Sequence, residues 1–171
     1  MVTKGLHGLA VLAAAGFCVS LLVHLAAWAG IAPPTAAWAL HIGIFVIWLP
    51  AVFASQRLTK DFKQREFWTA ALRGAPPWAS TALKWLTGYA LVNFLLFIFQ
   101  TTQASGAPSA ALEARGFSGH WMIFYGAGAA VLYSAARLRE HGDQPRVCLN
   151  GHPVSLSARY CEECGSPVMT A

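Results

Sequence analysis

Three cysteines and one histidine near the C-terminus have the types and the spacing of a metal site. They follow the pattern Cys-x3-His-x8-Cys-x2-Cys and are Cys148, His152, Cys161 and Cys164. Three thiolates and one imidazole are ligands that Zn²⁺ takes in tetrahedral structural sites. A glycine precedes the histidine and another follows the last cysteine, and glycine permits the positive φ that such turns usually need. The spacing predicts a structural zinc site in a tail of residues 148–171.

The same residues leave other interpretations open. The cysteines could be free or form a disulfide, or they could hold iron, although a histidine ligand and a single Cys-x2-Cys pair fit zinc better. All four positions are filled by protein, whereas hydrolytic zinc needs an open position for water, so the pattern argues against catalysis at the metal. Arg146 and Arg159 are opposed by Glu162 and Glu163, which argues against nucleic-acid binding. Docking to a protein partner is the more natural use of the tail.

The tail resembles the zinc-ribbon modules found at the ends of many bacterial proteins. Those modules read Cys-x-x-Gly-His, then Tyr or Phe followed by Cys-x-x-Cys-Gly, and the resemblance covers residues 146–167. It implies a structural Zn²⁺ held by the four residues named above. The tail has few apolar residues for a core of its own, so we expect metal binding to supply most of its folding free energy.

The remainder of the chain has the composition of a membrane protein that crosses the bilayer several times. Hydrophobic residues make up 56% of the sequence and charged residues only 11%. Four segments, 5–29, 36–54, 82–100 and 118–136, are long and apolar enough to cross a hydrocarbon layer of about 30 Å. The first could be a secretory signal, but its apolar run is too long for a typical signal core. We therefore predict an all-α membrane protein with a four-helix transmembrane bundle in residues 1–139.

The distribution of lysine and arginine predicts the orientation in the membrane. Of the twelve such residues, all but Arg115 fall on one side of an alternating topology, and in bacterial membranes that side faces the cytosol. Those eleven are Lys4, Arg57, Lys60, Lys63, Arg65, Arg73, Lys84, Arg137, Arg139, Arg146 and Arg159. Both termini are then cytoplasmic in a bacterial inner membrane, and the tail lies where thiols stay reduced. Orientation also accounts for the net charge of +5 without a nucleic-acid partner.

Three segments outside the spans complete the predicted architecture. Basic and aromatic residues in 55–81 favour an amphipathic helix over about 58–73 that lies on the inner membrane surface, with a solvated loop as the alternative. Residues 101–117 are small and polar in their first half and are expected to form a mobile outer connection. Residues 140–147 are expected to form a hinge between the bundle and the tail. Cys18, alone in the first span, is most simply a small buried residue.

Polar residues within the spans are candidates for a second site, because each is costly in hydrocarbon without a partner. His24, His41 and His120 fall at a similar depth near the outer end, within about 10 Å of the end of each helix. Small residues spaced by four, such as Gly16 and Ser20, mark a face for close helix packing. A further polar face on the third span comprises Tyr89, Asn93 and Gln100.

These histidines allow two interpretations. Imidazoles from different helices at one level could hold haem or copper. Alternatively they are structural, hydrogen-bonded to neighbours or headgroups within an outer aromatic belt of Trp28, Trp38 and Trp121. The polar face of the third span also leaves open a small channel or carrier. The sequence does not fix the direction in which His41 points.

The segment Arg115-Gly-Phe-Ser-Gly-His-Trp-Met-Ile-Phe-Tyr125 resembles a recurrent feature of uncharacterised bacterial four-span membrane proteins, a resemblance that implies no activity. The spans contain no paired carboxylates or nucleophile with a base. We therefore expect a non-enzymatic accessory, scaffold or sensor protein in the bilayer, whose tail binds a protein partner. Homo-oligomerisation is left open.

Overall fold

In the computed structural model the described residues are 2–60, 62–103, 105–141, 147–152, 154 and 158–168. Five α-helices follow one another: α1 (Val2–Trp28), α2 (Ala39–Thr59), α3 (Phe67–Ala71), α4 (Trp78–Gln103) and α5 (Ala110–His141). Short 3-10 helices, Thr35–Trp38 and Gln64–Glu66, lead into α2 and α3. Apart from isolated β-bridge residues in the tail, the regular secondary structure of the described residues is helical.

Three helical segments are long and apolar enough to cross a membrane: Lys4–Trp28, Thr35–Thr59 and Trp78–Gln103. By length and composition, they confirm three of the four predicted spans. All three expose large apolar side chains, including Leu22, Ile42 and Leu91, and the bilayer is the environment that accepts such surfaces. The fourth predicted span lies within α5, which is less apolar because glycine, serine, histidine and tyrosine interrupt its centre and charged residues lie at both ends.

The helix α5 lies at the centre of the bundle and packs against α1, α2 and α4. Close approach depends on glycine. A Cβ atom at Gly16 of α1 would lie 2.5 Å from Cδ1 of Tyr125, and one at Gly128 of α5 would lie 2.5 Å from Cγ2 of Ile47. Ser20, the next member of the predicted small-residue row on α1, is fully buried. The small residues therefore bring α1 and α2 against α5, as small residues do between membrane helices.

The bundle has two ends. We call one the basic end, which carries Lys4, Arg57, Lys84 and Arg137, and the other the aromatic end, which carries Trp28, Trp38, Phe117 and Trp121. At the basic end α1 and α4 begin and α2 and α5 terminate, so that His7 of α1 lies 3.4 Å from a carboxylate oxygen of Glu140. At the aromatic end α1 and α4 terminate and α2 and α5 begin. The last residue of α1 is Trp28. There Gly30, with a φ of 77°, donates its N–H to Ala27 while Ile31 donates to Ala26, the hydrogen-bond pattern of a Schellman motif.

The connection between α4 and α5 is much shorter than the predicted loop of residues 101–117. That prediction is wrong over most of its length, because α4 continues to Gln103 and α5 begins at Ala110. The Ser109 hydroxyl accepts a hydrogen bond from the N–H of Leu112 at 3.2 Å, which caps the new helix. At about 1.5 Å per residue, the 32 residues of α5 extend for about 48 Å.

The segment between α2 and α4 also differs from the prediction of one helix over 58–73. α2 continues to Thr59, and the later helical parts are the 3-10 helix and the five residues of α3. Ala71 and Leu72 are buried in the bundle core, and the N–H of Gly74 donates to the Ser134 hydroxyl at 3.0 Å. The segment is therefore packed against α5. Most of the predicted hinge, residues 142–146, lies outside the described residues.

Candidate functional site

The four predicted metal ligands of the tail lie together. Cys148, His152, Cys161 and Cys164 each present one ligand atom, and all four atoms lie within 4.8 Å of one another. The sulfur atoms of Cys148 and Cys164 are 3.6 Å apart, and the sulfur of Cys161 is 3.7 Å from Nδ1 of His152. Around a tetrahedral zinc, two sulfurs would be separated by about 3.8 Å and a sulfur and a nitrogen by about 3.6 Å. The donor set and its spacing therefore fit a tetrahedral metal ion.

Two backbone turns hold these ligands in place. In the first, Gly151 has a φ of 81° and donates its N–H to the carbonyl of Cys148 at 2.9 Å. In the second, Gly165 has a φ of 69° and donates to the carbonyl of Cys161 at 2.9 Å. A β-bridge between Tyr160 and Pro167 closes the second turn. Both glycines thus adopt the left-handed conformation that the sequence predicted for them.

Polar neighbours adjust the chemistry of the second cysteine pair. Sγ of Cys164 lies 3.2 Å from the Ser166 hydroxyl, and Asn150 Nδ2 donates to that same hydroxyl at 3.2 Å. Hydrogen bonds from Ser166 lower the pKa of Cys164 to about 5, whereas burial raises the pKa of Cys161. A lowered thiol pKa favours the thiolate, which is the form that binds a metal. The sulfur atoms of Cys148 and Cys164 are not bonded, since a disulfide has a length of about 2.05 Å.

A second polar group surrounds His24 at the aromatic end. The indole N–H of Trp28 donates to Nε2 of His24 at 3.0 Å, so this nitrogen is an acceptor and Nδ1 carries the proton in the neutral ring. Nδ1 then donates to the Ser118 hydroxyl at 2.7 Å, while the Tyr89 hydroxyl lies 2.5 Å from Nε2. Both ring nitrogens therefore have hydrogen-bond partners on α1, α4 and α5. This arrangement satisfies a buried polar residue and joins three helices.

Arg115 extends this group on α5. Its guanidinium lies 4.4 Å from the centre of the Trp28 ring and donates to the side-chain oxygen of Gln100, while its backbone carbonyl accepts from Asn93 at 2.8 Å. The predicted polar face of α4, formed by Tyr89, Asn93 and Gln100, therefore contacts residues of α1 and α5. Its hydrogen bonds connect helices to one another.

The other two histidines form a separate pair. The rings of His41 and His120 lie edge to face with their centres 5.4 Å apart, and the indole N–H of Trp121 donates to Nδ1 of His41 at 2.9 Å. Trp121 is fully buried, so its predicted place in an outer belt is wrong and it belongs to the core. The structure thus brings His41 and His120 together and gives His24 different partners.

Some contacts of these sites were not predicted. The sequence does not indicate that the Ser118 hydroxyl binds His24, or that Ser166 lies beside the metal ligands. The position of Trp28 four residues after His24 was the one available signal for their contact. Comparison of this chain with protein-family models, with curated proteins and with solved structures found no match.

Proposed function

We propose that this chain is a non-enzymatic accessory protein of the bacterial inner membrane, a scaffold or sensor whose tail holds a structural Zn²⁺ and docks a protein partner. The observation that carries the proposal is the convergence of one ligand atom from each of Cys148, His152, Cys161 and Cys164 within 4.8 Å. A site closed by four protein ligands stabilises a fold and leaves no position for a reacting water. The metal then gives a short tail a fixed shape.

The surface of the tail supports docking as its role. Val147, Leu149 and Tyr160 are exposed apolar or aromatic residues on a very small unit. Leu149 is 67% exposed although it directly follows buried Cys148. Tyr160 is 65% exposed although it directly precedes buried Cys161. Aromatic and apolar side chains on a rigid surface are the groups that anchor protein interfaces. A zinc-dependent contact surface is therefore the use that we assign to the tail.

The proposed bundle has four spans, with both termini in the cytosol. Support comes from α5, which packs against all three of the apolar helices and is longer than a hydrocarbon layer about 30 Å thick. A helix packed along three membrane helices belongs in the membrane with them. The concentration of lysine and arginine at the basic end supports the cytosolic orientation.

Metal content and the absorption spectrum of the detergent-purified full chain test this proposal. We expect one equivalent of zinc, none of the Soret absorption of haem and no copper. Cys161→Ser should lose the zinc, while Cys18→Ser, which alters an exposed cysteine of α1 outside the cluster, should retain it. Equal zinc content in the two variants would show that the ligand assignment is wrong.

A photo-crosslinking amino acid tests the docking role in cells. Placed at Leu149 it should give a discrete crosslinked product, and the product should vanish when Cys161→Ser is added. The same amino acid at exposed Trp85 of α4 is the control, because contacts made there do not depend on the tail. A product at Leu149 that persists without the zinc ligand would contradict a metal-shaped surface.

A further inference from the structure

An apolar cleft opens between α1 and α4 on the face of α5 that both helices contact. Its volume is about 490 Å³. The walls are formed mainly by small residues, including Ala10, Ala14, Ala79, Ala82, Gly126 and Ala130. Small side chains leave space between helices where larger ones would fill it. In a membrane, such a cleft adjoins lipid chains.

A second cavity, also of about 490 Å³, adjoins the cleft at the basic end of the bundle. Ala75, Pro76 and Tyr133 line both spaces, so the two spaces are neighbours. The charged residues lining the second cavity are Arg73 and Arg137. An apolar space beside a basic one matches the chemistry of a phospholipid, which has apolar acyl chains and a headgroup that carries a phosphate.

The first arginine is fixed in position. Nη1 of Arg73 donates to the carbonyls of Leu58 and Ala70, both at 2.7 Å, and its Cζ lies 5.2 Å from the centre of the Phe62 ring. A guanidinium held at a cavity wall is suited to bind a phosphate, with which it forms charge-assisted hydrogen bonds.

We propose that these two spaces bind one anionic phospholipid. An acyl chain lies in the apolar cleft between α1 and α4, and the phosphate and anionic headgroup lie against Arg73 and Arg137. An acyl chain is the occupant because the cleft is almost wholly apolar and faces the bilayer. Basic pockets between membrane helices bind anionic headgroups. The bound lipid would connect α1 and α4 at the basic end, where the hydrogen bonds of His24 do not reach.

Native mass spectrometry of the full-length protein, released from detergent with equal amounts of phosphatidylglycerol and phosphatidylcholine, tests the site. We expect retention of one phosphatidylglycerol. Ala14→Phe should abolish this retention by filling the cleft, whereas Ala15→Phe, at an exposed neighbour that does not line the cleft, should not. Ala82→Phe on the opposite wall repeats the test should the first variant fold poorly. Equal retention by the cleft-filling variants and the control would overturn the proposal.

The headgroup part has its own test. Arg137→Gln should reduce the preference for phosphatidylglycerol over phosphatidylcholine about tenfold, the scale of one charge-assisted hydrogen bond. Lys84→Gln removes the same charge from an exposed residue of α4 outside both spaces and should keep the preference. Inorganic phosphate should not displace the lipid. An unchanged preference in Arg137→Gln, or displacement by phosphate alone, would overturn the assignment of an anionic phospholipid.

Discussion

The bundle and the tail of this chain are held together by different means. In the bundle, residues of α1, α2 and α5 join one continuous core, and buried polar side chains such as His24 have partners on neighbouring helices. Among the described residues of the tail, those that are buried are Cys148, Cys161 and Val168. Two of these three are themselves predicted metal ligands. One region therefore folds by packing, and we expect the other to depend on a bound metal ion.

This difference means that the two regions should respond to different perturbations. Changes in packing should destabilise the bundle and leave the tail intact, and loss of metal should do the reverse. The described contacts that determine each region lie within that region.

Chelation should have the largest effect. Structural zinc contributes about 10–16 kcal/mol to the folding of small zinc modules at pH 7, far more than the few buried residues of the tail can replace. A strong chelator should unfold residues 147–168 and leave the helices α1 to α5 folded. Hydrogen exchange measured by mass spectrometry should show full exchange in the tail and unchanged protection in α5. Retained protection of the tail after complete zinc removal would contradict metal dependence.

A single added methyl group in the bundle should have the converse effect. Gly16→Ala puts a Cβ about 2.5 Å from the Tyr125 ring, and overpacking of this kind costs about 1–3 kcal/mol. Gly88→Ala on α4 is the matched control, because nothing lies within 4 Å of its Cβ. Thermal unfolding in detergent should show a lower midpoint for the first variant only. Zinc content should be unchanged in both, and its loss in Gly16→Ala would mean that the regions are not independent.

The same contrast explains how much the sequence could predict. The ligands of the tail are separated by at most 16 residues and set apart by diagnostic spacing, so the whole cluster was predicted from the sequence. The partners of His24 on α4 and α5 are 65 and 94 residues away in the chain. A single sequence gives the depth of a residue in a span but not the rotation of its helix. The three histidines were therefore predicted at one level, and their division into two groups was not.

The extent of α5 shows a second limit. The small, polar composition of the first half of residues 101–117 predicts a loop through residue 117. The signals for an earlier start were local: Pro108 and Ser109 precede an alanine-rich turn with Glu113, a good sequence for a helix N-terminus. Hydropathy identifies the part of a helix that suits a membrane, and it does not indicate where the helix begins.

Removal of the Ser166 hydroxyl should weaken the metal site without unfolding the protein. This hydroxyl helps to hold the pKa of Cys164 at about 5, so Ser166→Ala should raise that pKa and let protons compete with zinc at higher pH. The pH of half-release should rise, and zinc affinity at neutral pH should fall about 10- to 100-fold, as it does when groups that orient metal ligands are lost. Tyr160→Phe removes an exposed tail hydroxyl as the control. A lower pH of half-release in Ser166→Ala would contradict this role.

The smallest effect is expected from one hydroxyl of the His24 group. Tyr89→Phe removes a hydrogen bond to Nε2 of His24, but the indole of Trp28 still donates to that nitrogen, so no buried acceptor is left without a partner. Hydrogen bonds between membrane helices contribute about 0.6–1.7 kcal/mol, and the variant should lose stability within that range.

Thr87→Val is the matched control on α4, because the Thr87 hydroxyl bonds only to the carbonyl of Leu83 in its own helix. Unfolding in detergent should separate the two variants, and the zinc content of both should equal that of the parent. The absorption spectrum also distinguishes the two interpretations of His24. A structural histidine loses one hydrogen bond of ordinary strength, whereas a histidine that holds a cofactor would show a change in the absorption spectrum of the purified protein, and such a change would contradict the structural role.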